Sequence, residues 1–237
     1  MKLHTHEWGT GDRVALLVHG IMSDHRTWRR FGPALAERGY RVIAVDLRGH
    51  GLSPRGEGET PAERYGPRQY ADDLVETLPV GAELAVGHSL GGLSLRWAVE
   101  RLAPRRAVFS DPAWLFDQPG IDPELFVGFA ETATAEQVAA MNPRWEAEDV
   151  ETELATLALW DRDTARSLTA HGGYAGLPEA PVVPSLVQLA DPSFLVNEQQ
   201  AEELRGRGFE VRTVAGAGHT IHRDDFAGFL GSLEGWI

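Results

Sequence analysis

Gly87-His88-Ser89-Leu90-Gly91 is a G-x-S-x-G sequence, a spacing that can present a serine hydroxyl as a nucleophile. As a bare pattern it recurs by chance, so its surroundings matter. It follows an apolar stretch at 84–86 and opens a helix-forming stretch at 93–102, the strand–turn–helix context of a nucleophile elbow. A serine hydroxyl needs a base, and the base needs a carboxylate to orient it. His219, in Gly216-Ala217-Gly218-His219, follows the apolar run 211–214, and Asp191 directly follows the run 186–189. Each of Ser89, Asp191 and His219 follows an apolar run and so would sit at the carboxyl end of a strand, where open α/β sheets build their sites. Asp111 also follows an apolar run, at 107–109, and is the alternative acid. His19-Gly20-Ile21-Met22 ends the first central run, so the backbone N–H groups of Ile21 and Leu90 are expected to face an oxyanion.

The elements that must position these residues alternate. Apolar runs at 14–18, 42–45, 84–86, 107–109, 186–189 and 211–214 read as strands buried on both faces of a parallel sheet. Residues 3–8 read as an extra edge strand. Helical patterns lie at 27–38, 67–78, 91–102, 198–205 and 224–236. Strand–helix alternation predicts an α/β fold, a mostly parallel sheet flanked by helices. From 111 to 180 no strand is evident, but Pro123 suits a first helical position, Thr134 to Gln137 fits a capping box, and 148–160 has helical spacing. That segment carries 14 acidic and three basic residues, hence −11 of the net −13. The expected organisation is therefore a core of residues 1–111 and 181–237 with a helical cap, 112–180, inserted between them.

At 237 residues the chain suits one large domain burying roughly 70% of its unfolded surface. A net charge of −13, with Lys2 the only lysine, speaks against nucleic-acid binding and against a polybasic membrane surface. The absence of cysteine removes thiol catalysis, disulfides and thiolate metal sites. No apolar run is long enough to cross a bilayer or serve as a signal peptide, so a cytoplasmic protein without membrane insertion is expected. Gly49-His50-Gly51 meets Pro54 where a dinucleotide fingerprint needs its third glycine, and no phosphate-binding loop motif occurs. His4/His6 and His219/His222 lack an accompanying HExxH, so neither a metal nor a cofactor is expected.

Taken together, His19-Gly20-Ile21, Asp46-Leu-Arg-Gly-His-Gly-Leu-Ser53, Gly87-His-Ser-Leu-Gly-Gly92, Asp191 and Gly216-Ala-Gly-His219 resemble the α/β-hydrolase superfamily, of the esterase and lipase-like type with a small helical cap. The resemblance covers nearly the whole chain. It implies a serine hydrolase that cleaves a carboxylic ester or lactone through a Ser89-His219-Asp191 triad and an acyl-enzyme. It leaves open carbon–carbon and amide hydrolysis, acyl transfer, and a small-molecule receptor that keeps the fold. Serine at the elbow speaks against the epoxide hydrolases and haloalkane dehalogenases of the superfamily, which use aspartate there. The family usually sets its acid a few residues beyond a glycine, whereas here Ala190-Asp191-Pro192 stands. Met22, His88, Trp114, Phe126, Trp145 and Trp160 are the candidate pocket residues. With an acidic cap over the site, a neutral small-molecule ester or lactone is the expected partner.

Overall fold

The computed structural model of the chain describes residues 1–115, 122–168 and 176–237. Seven strands form one sheet: β1 (Thr5–Trp8), β2 (Arg13–Val18), β3 (Tyr40–Val45), β4 (Leu84–His88), β5 (Ala107–Ser110), β6 (Ser185–Leu189) and β7 (Glu210–Thr213), in spatial order β1-β3-β2-β4-β5-β6-β7. All neighbours are parallel except β1, which pairs antiparallel with β3 at the edge. The apolar runs form central strands because both of their faces are covered. Along β2, Leu16 and Val18 point into one core and Ala15 and Leu17 into the other. Helices α3 (Pro67–Thr77), α4 (Leu90–Leu102) and α9 (Glu198–Gly206) supply Leu74, Val99 and Leu204 to the first core. On the opposite face α1 (Phe31–Ala36) and α11 (Phe226–Gly231) supply Leu35 and Phe229. A short α2 (Pro61–Arg64) begins with a capping box at Thr60, and α10 (Ile221–Asp224) follows the His219 loop.

Two expected helices are shorter than the sequence pattern suggests. The 27–38 pattern divides into a 3-10 turn, His25–Trp28, and α1, and the 224–236 pattern ends at Gly231, with Gly235 at φ 81° beyond it. Between β5 and β6 lie α5 (Pro123–Thr132), α6 (Ala135–Met141), α7 (Ala147–Leu159) and α8 (Asp163–Leu168), and no strand among the described residues of that stretch. Pro123 opens α5 and Thr134 caps α6 in a capping box with Gln137. The proposed 112–180 insertion also contains residues 116–121 and 169–175, which lie outside the described residues.

Strand order places the site. The chain runs from β2 outward to β3 and then returns to the other side of β2 for β4, so the sheet reverses its direction of growth between β2 and β4. Such a switch point leaves a crevice at the carboxyl ends of the strands. Val18 is in register with Gly87, which sets Gly20 beside His88 and Ser89. A Cβ on Gly20 would stand 2.8 Å from His88 Nδ1, and one on Gly91 would collide with the carbonyl of Val18. Both positions need glycine because backbone and side chains meet there without room for a methyl group.

The loop after β3, residues 46–53, is held by buried polar groups. The Asp46 carboxylate accepts from the backbone N–H of His25 at 2.7 Å and of Leu52 at 3.0 Å. Two fully buried histidines brace the loop ends. His19 bonds through Nδ1 to the Gly20 carbonyl at 2.6 Å, and its Nε2 accepts from Leu47 N–H at 2.9 Å. His50 Nδ1 meets the carbonyl of Arg48 at 2.9 Å.

Burial pushes the His50 imidazole down to about 3, and the neighbouring His19 adds to the effect. Between pH 6.5, its ordinary value, and about 3, the unfolded chain therefore binds a proton at this position that the folded chain does not. Stability must fall as pH falls through that window. His50→Asn, which keeps a short N–H donor but cannot titrate, is expected to remove about 1.5 kcal/mol of the stability lost between pH 6.5 and 5. Urea unfolding at the two pH values measures this; an unchanged pH dependence in the variant would show that His50 is not the responsible group.

Candidate active site

Ser89 lies between β4 and α4 with φ 51° and ψ −116°, a conformation that L-residues rarely adopt. Its backbone N–H donates to the Ser110 carbonyl at 3.1 Å, and its own carbonyl accepts from Leu93 N–H at 3.1 Å. The strain is held by both neighbours of the turn, β5 and the first turn of α4. Leu90 opens α4, so its N–H has no carbonyl in a preceding turn to bind. Across the crevice the loop after β2 turns at Met22, φ 66°, and brings Gly20, Ile21 and Met22 to the same cavity as Ser89.

His219 also lines this cavity. Its Nδ1 lies 2.6 Å from Asp111 Oδ2. The carboxylate only accepts, so Nδ1 carries a proton, and in the neutral ring the lone pair is then on Nε2. Asp111 is fully buried at the carboxyl end of β5, with φ 40°, and its other oxygen accepts from Ala190 N–H at 3.3 Å. His88 holds the loop from the other side. Its Nε2 donates to the His219 carbonyl at 2.9 Å, and burial keeps its imidazole well below the ordinary range and so uncharged.

The carboxylate that meets His219 is thus Asp111 and not the preferred Asp191. Asp191 is exposed, and its Oδ2 accepts from Gly216 N–H at 3.0 Å while its backbone N–H bonds the Ala217 carbonyl at 2.8 Å. It braces the base of the glycine loop. The physical reason is lateral. From β7 the loop folds back across the strand ends until the His219 ring lies 4.7 Å from that of His88 on β4, and the carboxylate beneath that position belongs to β5.

The cavity has a volume of about 440 Å³. Met22, His88, Phe126 and Trp145 line it, as do Phe129, Met141, Phe194 and Arg223, which the sequence reading did not single out. Trp114 and Trp160 lie elsewhere. Trp114 is fully buried against Phe109 and Phe209, with its indole N–H on the Gly92 carbonyl at 3.3 Å. Trp160 bonds Thr164 and packs in a small core with Leu157 and Ala165. Aromatic content marked these positions, but only the direction of each side chain separates core from cavity.

The acidic residues of 122–168 are largely paired with basic groups. Arg29 alone meets Glu146 and Glu148, each at 2.6 Å, and Asp149 at 2.9 Å. Glu124 pairs with Arg166, Asp163 with Arg64, and Glu153 with Arg223. Among the described residues that line the cavity, Glu153 is the one carboxylate. Among the described residues one group could hold a metal ion: His4, His25 and Asp46, whose ligand atoms lie within 4.8 Å of one another. The Asp46 oxygens there are already engaged by His25 and Leu52. No helix among the described residues is long and apolar enough to cross a membrane.

A family model described as "Alpha/beta hydrolase family" matches residues 15–230. The chain belongs to the alpha/beta hydrolase family. An epoxide hydrolase from Caballeronia sordidicola is 36% identical over 114 residues, 46% of this chain and 33% of that protein. A pyrethroid hydrolase from Sphingobium wenxiniae is 33% identical over 112 residues, 47% of this chain and 39% of that protein. The matched stretches thus span 33% and 39% of these curated relatives, well under two thirds of their length. The crystal structure of an enol-lactonase from Burkholderia xenovorans LB400 superposes with a TM-score of 0.74 at 24% identity, covering 99% of this chain and 95% of that one. That likeness establishes the shared fold.

Asp111→Asn and Asp191→Asn separate the two carboxylates. Asparagine tolerates a positive φ, so the first change removes the charge without adding backbone strain at Asp111. With p-nitrophenyl acetate, Asp111→Asn is expected to lower kcat roughly 10⁴-fold, and Asp191→Asn to stay within about threefold of the parent protein. The reverse pattern would return the orienting role to Asp191.

Proposed function

We propose that this protein is a serine hydrolase acting on a carboxylic ester or lactone. The observation that carries the reading is one arrangement. Ser89 sits strained at the head of α4, in the cavity wall it shares with a histidine whose Nδ1 is held by a buried carboxylate. In this reading His219 Nε2 takes the Ser89 proton as Oγ attacks the carbonyl carbon. The oxygen of the tetrahedral intermediate is held by the N–H groups of Ile21 and Leu90, the second reinforced by the amino end of α4. His219 returns its proton to the departing alkoxide. It then deprotonates the water that releases the acyl group, while Asp111 holds its tautomer and stabilises the imidazolium. A helical cap over the core, residues 112–180, would close the cavity. Its α5 and α6 supply Phe126, Phe129 and Met141 to the wall.

The comparisons support a hydrolase and leave its bond open, since they include an epoxide hydrolase, a pyrethroid hydrolase and an enol-lactonase. Serine at the elbow favours the acyl-enzyme route over epoxide opening, for which the resemblance implies an aspartate at that position. Amide or carbon–carbon hydrolysis and acyl transfer would use the same residues on another substrate, and a receptor would use the cavity without turnover.

A fluorophosphonate probe is expected to label Ser89 and no other serine, and Ser89→Ala is expected to lose hydrolysis of short p-nitrophenyl esters by several orders of magnitude. Peptide mapping and initial rates read both. An adduct on another serine, or full activity in Ser89→Ala, would falsify the assignment. A burst equal to the protein concentration without steady turnover would favour the receptor.

A further inference from the structure

Arg223 lies in α10, four residues after His219, and is only 3% exposed. It lines the cavity that holds Ser89. Nη1 donates to Glu153 on α7 at 2.6 Å, and the guanidinium lies 4.6 Å from the centre of the Trp145 ring. Nε and Nη2 have no hydrogen-bond partner among the described residues. An arginine stays charged, and a buried charged donor without an acceptor is strongly disfavoured. The two unpaired groups are neighbours: the Nε–Nη2 edge of a guanidinium offers two parallel N–H bonds spaced for the two oxygens of a carboxylate. Glu153 anchors the far side of the group and Trp145 stacks on it, while the Nε–Nη2 edge is itself almost wholly covered, so a ligand must displace a neighbouring side chain to reach it. Elsewhere the wall is mainly apolar, with Ile21, Met22, Leu125, Phe126 and Phe129.

We propose that Arg223 binds a carboxylate carried by the substrate, so that the cavity takes carboxylate-bearing esters or lactones in preference to neutral ones. The proposal rests on the serine-hydrolase reading of the same cavity. It reverses the neutral substrate expected from the acidic composition of 112–180. Most of that charge is spent on arginines such as Arg29 and Arg166, and Glu153, which faces the cavity, is itself paired with Arg223. A carboxylate held at Arg223 would fix the substrate's far end while apolar side chains cover its middle, leaving the scissile carbonyl to Ser89.

The test compares mono-p-nitrophenyl esters of dicarboxylic acids of graded chain length with the same compounds carrying a methyl ester in place of the free carboxylate. The parent protein is expected to prefer the acids, with the preference residing mainly in KM. In Arg223→Gln the acid-to-neutral ratio of kcat/KM is expected to fall roughly 30-fold or more. Arg223→Lys, which keeps the charge but loses the fork, should lie between. Calorimetry with glutarate and adipate reads binding without turnover: the parent protein is expected to bind one of them saturably, and Arg223→Gln not to. Equal rates for acids and methyl esters in the parent protein would overturn the proposal, as would an unchanged ratio in a folded Arg223→Gln. Diacid binding with no turnover and no labelling of Ser89 would instead keep the carboxylate site and reject the hydrolase reading. Absence of saturable diacid binding beside normal ester turnover would do the opposite.

Discussion

A single contact, His219 Nδ1 to the buried Asp111 Oδ2 at 2.6 Å, sets the requirements that the rest of the site meets. For a carboxylate at the end of β5 to reach a histidine carried on the loop after β7, that loop must cross the end of the intervening strand, β6. Gly216, at φ 66°, allows the turn, Asp191 holds its base through Gly216 N–H, and His88 takes the carbonyl of His219. Asp111 in turn must leave the extended conformation of its strand, and φ 40° is the cost of aiming its carboxylate inward. Three neighbouring strand ends, β4, β5 and β6, thus supply Ser89, Asp111 and Asp191, with His219 laid across them.

The helices between β5 and β6 are joined to this frame by charge as much as by apolar contact. Arg29, just after the His25–Trp28 turn, gathers three carboxylates at the amino end of α7, where negative charge also complements the helix dipole. Arg223 grips the middle of the same helix through Glu153. The segment's acidity is therefore better understood as the complement of core arginines than as a free negative surface. That difference decides what a substrate meets on entering the cavity. Net charge over a segment sums residues without regard to their partners, so it could not show this.

Much of the frame was legible because it follows from local rules. Continuous Val- and Leu-rich runs form central strands, glycines surround Ser89 where backbones approach closely, and Pro123 and Thr134 begin helices as their chemistry dictates. What stayed hidden depends on lateral order and side-chain direction. Asp111 and Asp191 look alike in one dimension, each after a strand and each before a proline. Only the position of the loop above β5 distinguishes them. Trp114 and Trp145 differ in the same way, one turned into the core between Phe109 and Phe209 and the other into the cavity. Arg223 carried a signal that could have been followed, an arginine close behind the histidine of the site. Its buried, half-paired state needed the fold.

The pairing of His219 with Asp111 is most directly tested by proton NMR in water, observing the far-downfield N–H resonance that an imidazole shows when it donates a short hydrogen bond to a carboxylate. Expected is one such resonance in the parent protein, retained in Asp191→Asn and lost in Asp111→Asn. Its loss in Asp191→Asn and survival in Asp111→Asn would contradict the pairing on which the whole site is built.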